Sequence, residues 1–258
     1  MGKAVAEKVA ERLGYECLSR DVLLEASGDF NIPELKLEHA IEDAPSILER
    51  FTHGHQKYVA YVQSALTRHV CRDNVVYHGL AGQVLLKKVS HLLKVLITAD
   101  PEMRLRIVME REKMNRQQAE TWLAKLDKGR RRWTQRLYGV DPWDPAFYDL
   151  AIGLRRLEVD DAVELICRSV EMRQFKTTAE SRQEMADLAL AAEIKAALVE
   201  GYPDVSVSSR YGNVLVYGVS SDRQAQKLKA RAVEVCAKME GINNIEVHAG
   251  IAAPDDAV

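Results

Sequence analysis

Asn74-Val75-Val76-Tyr77-His78-Gly79-Leu80-Ala81-Gly82 is the stretch whose reading decides the fold. A β-branched and aromatic run ending in a glycine-bearing turn has the composition of a buried parallel strand and the loop after it. Leu92-Leu93-Lys94-Val95-Leu96-Ile97 repeats the pattern. Asp100-Pro101-Glu102 follows, with Asp100 placed to cap a helix and Pro101 at its first position, where a missing N–H costs nothing. Strand, helix, strand, helix in this rhythm predicts an α/β domain built on a parallel sheet.

Toward the N-terminus, Val5, Val9 and Leu13 recur at i, i+4 and i+8 beside Ala6 and Ala10, an apolar stripe on a helix that Gly14 can end in the left-handed conformation. Gly2-Lys3 opens this helix. In a G-x-x-x-x-G-K-[ST] phosphate loop, glycines let backbone N–H groups approach the phosphates, the Lys reaches the outer ones, and the helix N-terminus adds positive charge. Only the last part of such a loop stands in this sequence, without the first strand and most of the glycines, and Ala4 occupies the position of the magnesium-binding Ser or Thr. Taken alone, the pair reads as the start of an ordinary helix. Tyr15 to Leu18 reads as extended, and Ser19 or Asp21 caps a helix through Val22-Leu23-Leu24. Pro33 to Val70 is helix-rich and polar, broken at Pro45 and near Gly54. His53-Gly54-His55 lacks a third ligand at helical or turn spacing, so it reads as solvated loop and no metal site is expected.

Toward the C-terminus, Asn115-Arg116-Gln117-Gln118 fits a capping box that opens a helix through Trp122 and Leu126. Asp127-Lys128-Gly129-Arg130-Arg131-Arg132-Trp133 then crowds four cations into five positions, with Arg136 a turn later. Two readings stand: a solvated helix face, or a clamp for a polyphosphate, since each Arg can bind two phosphate oxygens at once. Asp144 to Ile152 gives a turn and a last short strand, and Val159 to Val170 a closing helix.

Residues 173–183 are polar and lack apolar periodicity, as a linker does. Beyond them Leu188, Ile194 and Leu198 mark an amphipathic helix, and Val205, Val207 and Val214-Leu215-Val216-Tyr217 two strands. Arg210-Tyr211-Gly212-Asn213 joins them as a hairpin turn in which Gly and Asn take positive φ. Ser221 with Gln224 caps a helix through Met239, Gly241 ends it, and Ile245 to His248 is a last strand. This predicts a small α-β-β-α-β domain over 184–250, then a tail, 251–258. His248 is a lone edge-strand histidine without a partner to tune it as a base.

The 258 residues suffice for a large domain and a small one, and a net charge of −2 argues against a nucleic-acid partner. Cys17, Cys71, Cys167 and Cys236 form no C-x-x-C pair, so neither zinc nor disulfides are indicated and a reducing cytoplasm is expected. No apolar leader opens the sequence, and no run approaches the roughly 18 apolar residues of a membrane span.

Residues 1–172 resemble the cytidylate kinase-like branch of the P-loop nucleoside monophosphate kinases. The residues that carry this are Gly2 to Ala10 into Gly14, Ser19 to Leu24, His78-Gly79 with Gly82, Asp127 with Arg130-Arg131, and Tyr148-Asp149-Leu150. The resemblance implies a parallel sheet flanked by helices, ATP with Mg2+ on the loop before the first helix, a nucleoside monophosphate under the segment near 21 to 70, and a mobile arginine lid. It implies that Lys3 contacts phosphates, that Asp21 beside Arg20 lies near the acceptor, and that Arg130 and Arg131 stabilise the transferring phosphoryl group. Gly2, Gly79, Gly82, Asp127 and Arg132 would complete the nucleotide site. Two departures bear on activity: Leu80 stands where the family usually offers an arginine, and Gly153-Leu154 replaces an Asn-Thr or Asp-Thr pair.

Residues 184–250 resemble the BON domain, a module associated with binding near membranes, through Gly212, Val214, Leu215, Gly218, Val219, Gly241 and Ile245. The resemblance implies a protein or membrane-associated partner. Two functions remain open: phosphoryl transfer from ATP to CMP or a similar acceptor, or a catalytically degraded kinase fold that senses nucleotide while its small domain binds a partner.

Overall fold

The structure is a computed structural model that describes residues 1–19, 22, 53–79, 81–87, 89–219, 221–249, 253–254 and 257–258. In chain order the first part contains α1 (Gly2–Leu13), β1 (Glu16–Leu18), α2 (Gly54–Val70), β2 (Val75–Tyr77), the short α3 (Gly82–Leu85), β3 (Val95–Ala99), α4 (Pro101–Glu112), α5 (Arg116–Tyr138), β4 (Leu150–Leu154) and α6 (Val159–Val170). The second part contains α7 (Ala179–Leu198), β5 (Ser206–Arg210), β6 (Asn213–Val219), α8 (Asp222–Cys236) and β7 (Asn244–Ala249). No helix among the described residues is long and apolar enough to cross a membrane.

The first part is α/β, with parallel strands flanked by helices. Among the described residues the strands form two parallel pairs, β1 with β2 and β3 with β4, rather than the single sheet expected. Only three rungs join β1 to β2, and no pairing joins β2 to β3. One apolar cluster covers both: Val5 and Val9 of α1 pack with Ile152 and Leu154, and Val76, Val95 and Ile97 border the same group. Gly14 ends α1 in the left-handed region at φ 69. β3 starts at Val95, so Leu92 and Leu93 of the predicted strand lie in the loop before it.

α2 corrects the expectation of a polar segment. Tyr58, Ala60, Tyr61, Val62, Gln63, Ser64, Ala65, Leu66 and Thr67 are all buried. Thr67 Oγ1 donates to Gln63 O at 2.8 Å and Gln63 Nε2 donates to Leu85 O at 2.9 Å, so these two donors keep partners inside. α5 is a second correction. The Asn115–Gln118 box is present, but the helix runs straight through Gly129 and the arginines to a left-handed Gly139. Trp133 and Thr134, 2 % and 1 % exposed, anchor that last half against the core.

The second part follows the α-β-β-α-β order, with β5 antiparallel to β6 and β6 parallel to β7. α7 begins at Ala179, capped by Thr178, so residues 179–183 of the expected linker are helical. Its Met185 enters the core of the first part with Tyr58, Val62 and Trp133, whereas Ala191, Ile194 and Leu198 pack on Val205, Val207, Val214 and Val216. At the hairpin the positive φ values belong to Tyr211 (51) and Gly212 (73) rather than to Asn213. α8 ends at Cys236, three residues before the predicted Met239. Val258, in the expected tail, exchanges both backbone hydrogen bonds with Val207 and closes the free edge of β5.

Candidate functional site

In a parallel α/β layer, ligands gather beyond the carboxyl ends of the strands. α6 starts five residues past the end of β4, so its first turn stands at that edge. Lys8 pairs with Asp160 and Arg12 with Glu164, which fixes α1 parallel to α6 and directs its Gly2 and Lys3 end to the same edge. β1 follows α1 after a tight turn and runs back along it, so Gly79 and Gly82, just past β2, also lie toward the N-terminal end of α1.

That end of α1 is open. Its cap residue, Met1, contributes no side-chain hydrogen bond, the first turn holds no acid, and nothing stands within 4 Å of a side chain added at Gly2. The free backbone N–H groups suit an anion. Lys3 is 71 % exposed and pairs with Glu7 at 3.6 Å on its own helix. Gly79 and Gly82 have a different neighbour from the one expected, because the ring of Tyr77 occupies the space that a side chain at either would need. Tyr77 is itself crowded into the core, and burial pushes its pKa up to about 12, so it stays neutral. Arg20 and Asp21 lie outside the described residues.

The arginine stretch divides. Arg104, on the first turn of α4 after β3, donates through Nη1 and Nη2 to Asp127 Oδ2 and Oδ1 at 2.8 and 2.7 Å. This two-toothed pair holds the pKa of Arg104 above its ordinary value, chiefly by hydrogen bonding. Arg130, one turn beyond Asp127, faces the same pair. Burial of its guanidinium and the charge of Arg104 lower its pKa, with Asp127 opposing. Arg130 makes no ion pair among the described residues and is the free cation of this group. Arg131 points elsewhere, to Asp141 and Trp143. Arg132 is exposed on the helix.

Two cations at this edge escaped the sequence reading. Arg104 is indistinguishable by spacing from Arg106 and Arg111, and only the contact of α4 with α5 singles it out. Arg155, just past β4, lies 3.8 Å from Asp100, whose carboxylate also caps α4 by accepting from Glu102 N and Met103 N. Among the described residues no three His, Cys, Asp or Glu side chains converge as a metal site. Ala4 offers magnesium no oxygen. The side chains described do not fit a resident metal ion.

The pattern of the Cytidylate kinase-like family matches residues 1–155. A cytidylate kinase of Archaeoglobus fulgidus is 29 % identical over 175 residues, which is 67 % of this chain and 89 % of that one. A crystal structure of an uncharacterized protein from Eubacterium ventriosum superposes with a TM-score of 0.50 at 20 % identity, over 66 % of this chain and 90 % of the other. The fold is therefore shared with a second protein, and the matched span contains α1, both strand pairs and the arginine-bearing α5. This chain belongs to the cytidylate kinase-like family.

Proposed function

We propose that the chain binds ATP and transfers its terminal phosphoryl group to a nucleoside monophosphate, cytidylate or a close relative. The observation that supports this best is the Arg104–Asp127–Arg130 group next to the carboxyl end of β3, on the strand edge toward which α1 opens its N-terminus. Phosphoryl transfer spreads negative charge over the oxygens of the moving group, so catalysis is positioning and charge stabilisation. Asp127 fixes the Arg104 fork, which leaves Arg130 next to it as the cation able to follow that charge. Lys3 and the N–H groups of Gly2 and its neighbours take the outer phosphates, Arg132 supplies longer-range attraction, and the family resemblance assigns Arg20 and Asp21, outside the described residues, to the acceptor. Gly79 and Gly82 act by letting Tyr77 close the floor beside the nucleotide. Magnesium comes with the nucleotide.

The test is ADP release from ATP with CMP, UMP or AMP as acceptor. CMP supports the fastest turnover, and Arg130→Ala lowers kcat on the order of 10²–10³-fold, the loss expected for one preorganised charge donor. ATP binding weakens with added salt because Lys3 and Arg132 are exposed. A chain that binds ATP but releases ADP with no acceptor would favour a second function, nucleotide sensing by a kinase-derived protein. Ala4, with no hydroxyl, and Arg131, already engaged by Asp141, favour that alternative. In either case residues 1–172 form the nucleotide-binding part, and residues 184–250 act as a BON-like module for a protein or membrane-associated partner. None of the four cysteines is in a disulfide, which fits the cytoplasm.

A further inference from the structure

Arg131 does not share its neighbour's surroundings. One residue along a helix turns the side chain by about 100°, and this step carries Arg131 from the Asp127 group to the loop that follows α5. There its Nη2 stands 3.2 Å from Asp141 Oδ2, and its guanidinium carbon lies 4.9 Å from the centre of the Trp143 ring. The loop is itself braced. Trp143 N donates to Asp141 Oδ1 at 3.1 Å, Asp144 N to Asp141 O at 3.1 Å, and the Tyr148 hydroxyl to Pro142 O at 2.7 Å. A carboxylate and an aromatic face are thereby held in one turn around one guanidinium, a charge pair and a cation–π contact on the same group.

A carboxylate and a phosphate compete for the same fork of donors. We propose that Asp141 and Trp143 are positioning residues that latch Arg131 away from the nucleotide until its phosphates displace the Asp141 carboxylate. This rests on the nucleotide-binding reading proposed above and on the role at the transferring phosphoryl group that the family resemblance implies for Arg131. The latch acts as a threshold: a polyphosphate carrying several charges opens it, whereas a singly charged anion does not outbid the carboxylate. The Asp141 pair is half exposed, so its hold is modest.

The experiment uses the full chain, titrated with ATP and with inorganic tripolyphosphate by calorimetry and by tryptophan fluorescence. Asp141→Asn tightens both ligands about two- to fivefold, the range an exposed ion pair supports, and Asp141→Glu returns the affinity toward that of the parent. The fluorescence change on ligand addition, present in the parent as Arg131 leaves the Trp143 face, disappears in Trp143→Phe. Unchanged or weaker binding in Asp141→Asn, with Arg131→Ala still weakening it, overturns the latch and leaves the phosphate site standing. Unchanged binding in Arg131→Ala overturns both.

Discussion

Trp133 meets the edge of the Tyr58 ring, with centroids 5.1 Å apart and planes at 79°. The helix that bears the arginines is thus pinned, one turn after Arg130, to the buried face of α2. Edge-to-face pairs add to the burial of two large rings. Trp133→Ala should destabilise the chain by about 3–5 kcal/mol, and Trp133→Phe by much less. Urea denaturation measures both, and a loss below about 1 kcal/mol for the alanine variant would mean that α5 is held elsewhere.

Asp187 ties α7 to the hairpin. Its carboxylate accepts from Ser209 Oγ at 2.7 Å, Tyr211 N at 2.8 Å and Gly212 N at 3.0 Å. Burial alone would raise its pKa, but the hydrogen bonds from Gly212, Ser209, Tyr211 and Gln183 outweigh it and hold the carboxyl below its usual range. A folded pKa below the unfolded one adds stability above the ordinary carboxylate pKa of about 4, lost as pH falls through the folded value. Asp187→Ala should cost about 2–3 kcal/mol at pH 7, because buried N–H groups lose their acceptor. Asp187→Asn should flatten the acid limb of the stability curve below about pH 4. An acid limb identical to the parent's would contradict this.

Gly212 and Gly14 separate two penalties. Both have positive φ, at 73 and 69, but a side chain at Gly212 runs into Gly241 O, whereas nothing stands within 4 Å of one at Gly14. Gly14→Ala should cost about 1–2 kcal/mol for conformation alone. Gly212→Ala should cost more, because the Gly241 carbonyl must also move. Equal losses by chemical denaturation would rule out the steric part.

Residues 177–258, expressed alone, should melt cooperatively, since Ile194, Leu198, Val205, Val207, Val214, Val216 and Leu228 form a core without help from the first part. A core of this size supplies about 3–5 kcal/mol. The midpoint should lie below that of the same residues in the whole chain, because Met185, Ala196 and Val199 lose their cover. A fragment without a transition would show that the module depends on α2.

Local chemistry was legible in the sequence where neighbours along the chain decide it. The stripe of α1 with its Gly14 cap, Asp100-Pro101, the Asn115–Gln118 box and the 210–213 turn all depend on contacts within a few residues. Burial of α2 was not legible, because Tyr61, Gln63 and Thr67 look solvated until their polar atoms find partners within the fold. The different surroundings of the arginines were not legible for the same reason. Asp127 and Arg130 face α4, and Arg131 faces a loop ten residues on, a division that only the packing of α5 creates. The ring of Tyr77 lies against both Gly79 and Gly82, a contact that their places in the sequence do not announce.

α7 gives the chain an order of assembly on the ribosome. The hydroxyl of Tyr61 in α2 bonds to Glu200, which is 139 residues later in the chain. At about 5–20 residues per second, α2 waits roughly 7–28 seconds after its own synthesis for the helix that covers it. During that interval Ala60, Tyr61 and their apolar neighbours are open to the cell. A chaperone that binds nascent apolar helices would therefore meet this protein at α2, and release it only once residue 200 has left the exit tunnel.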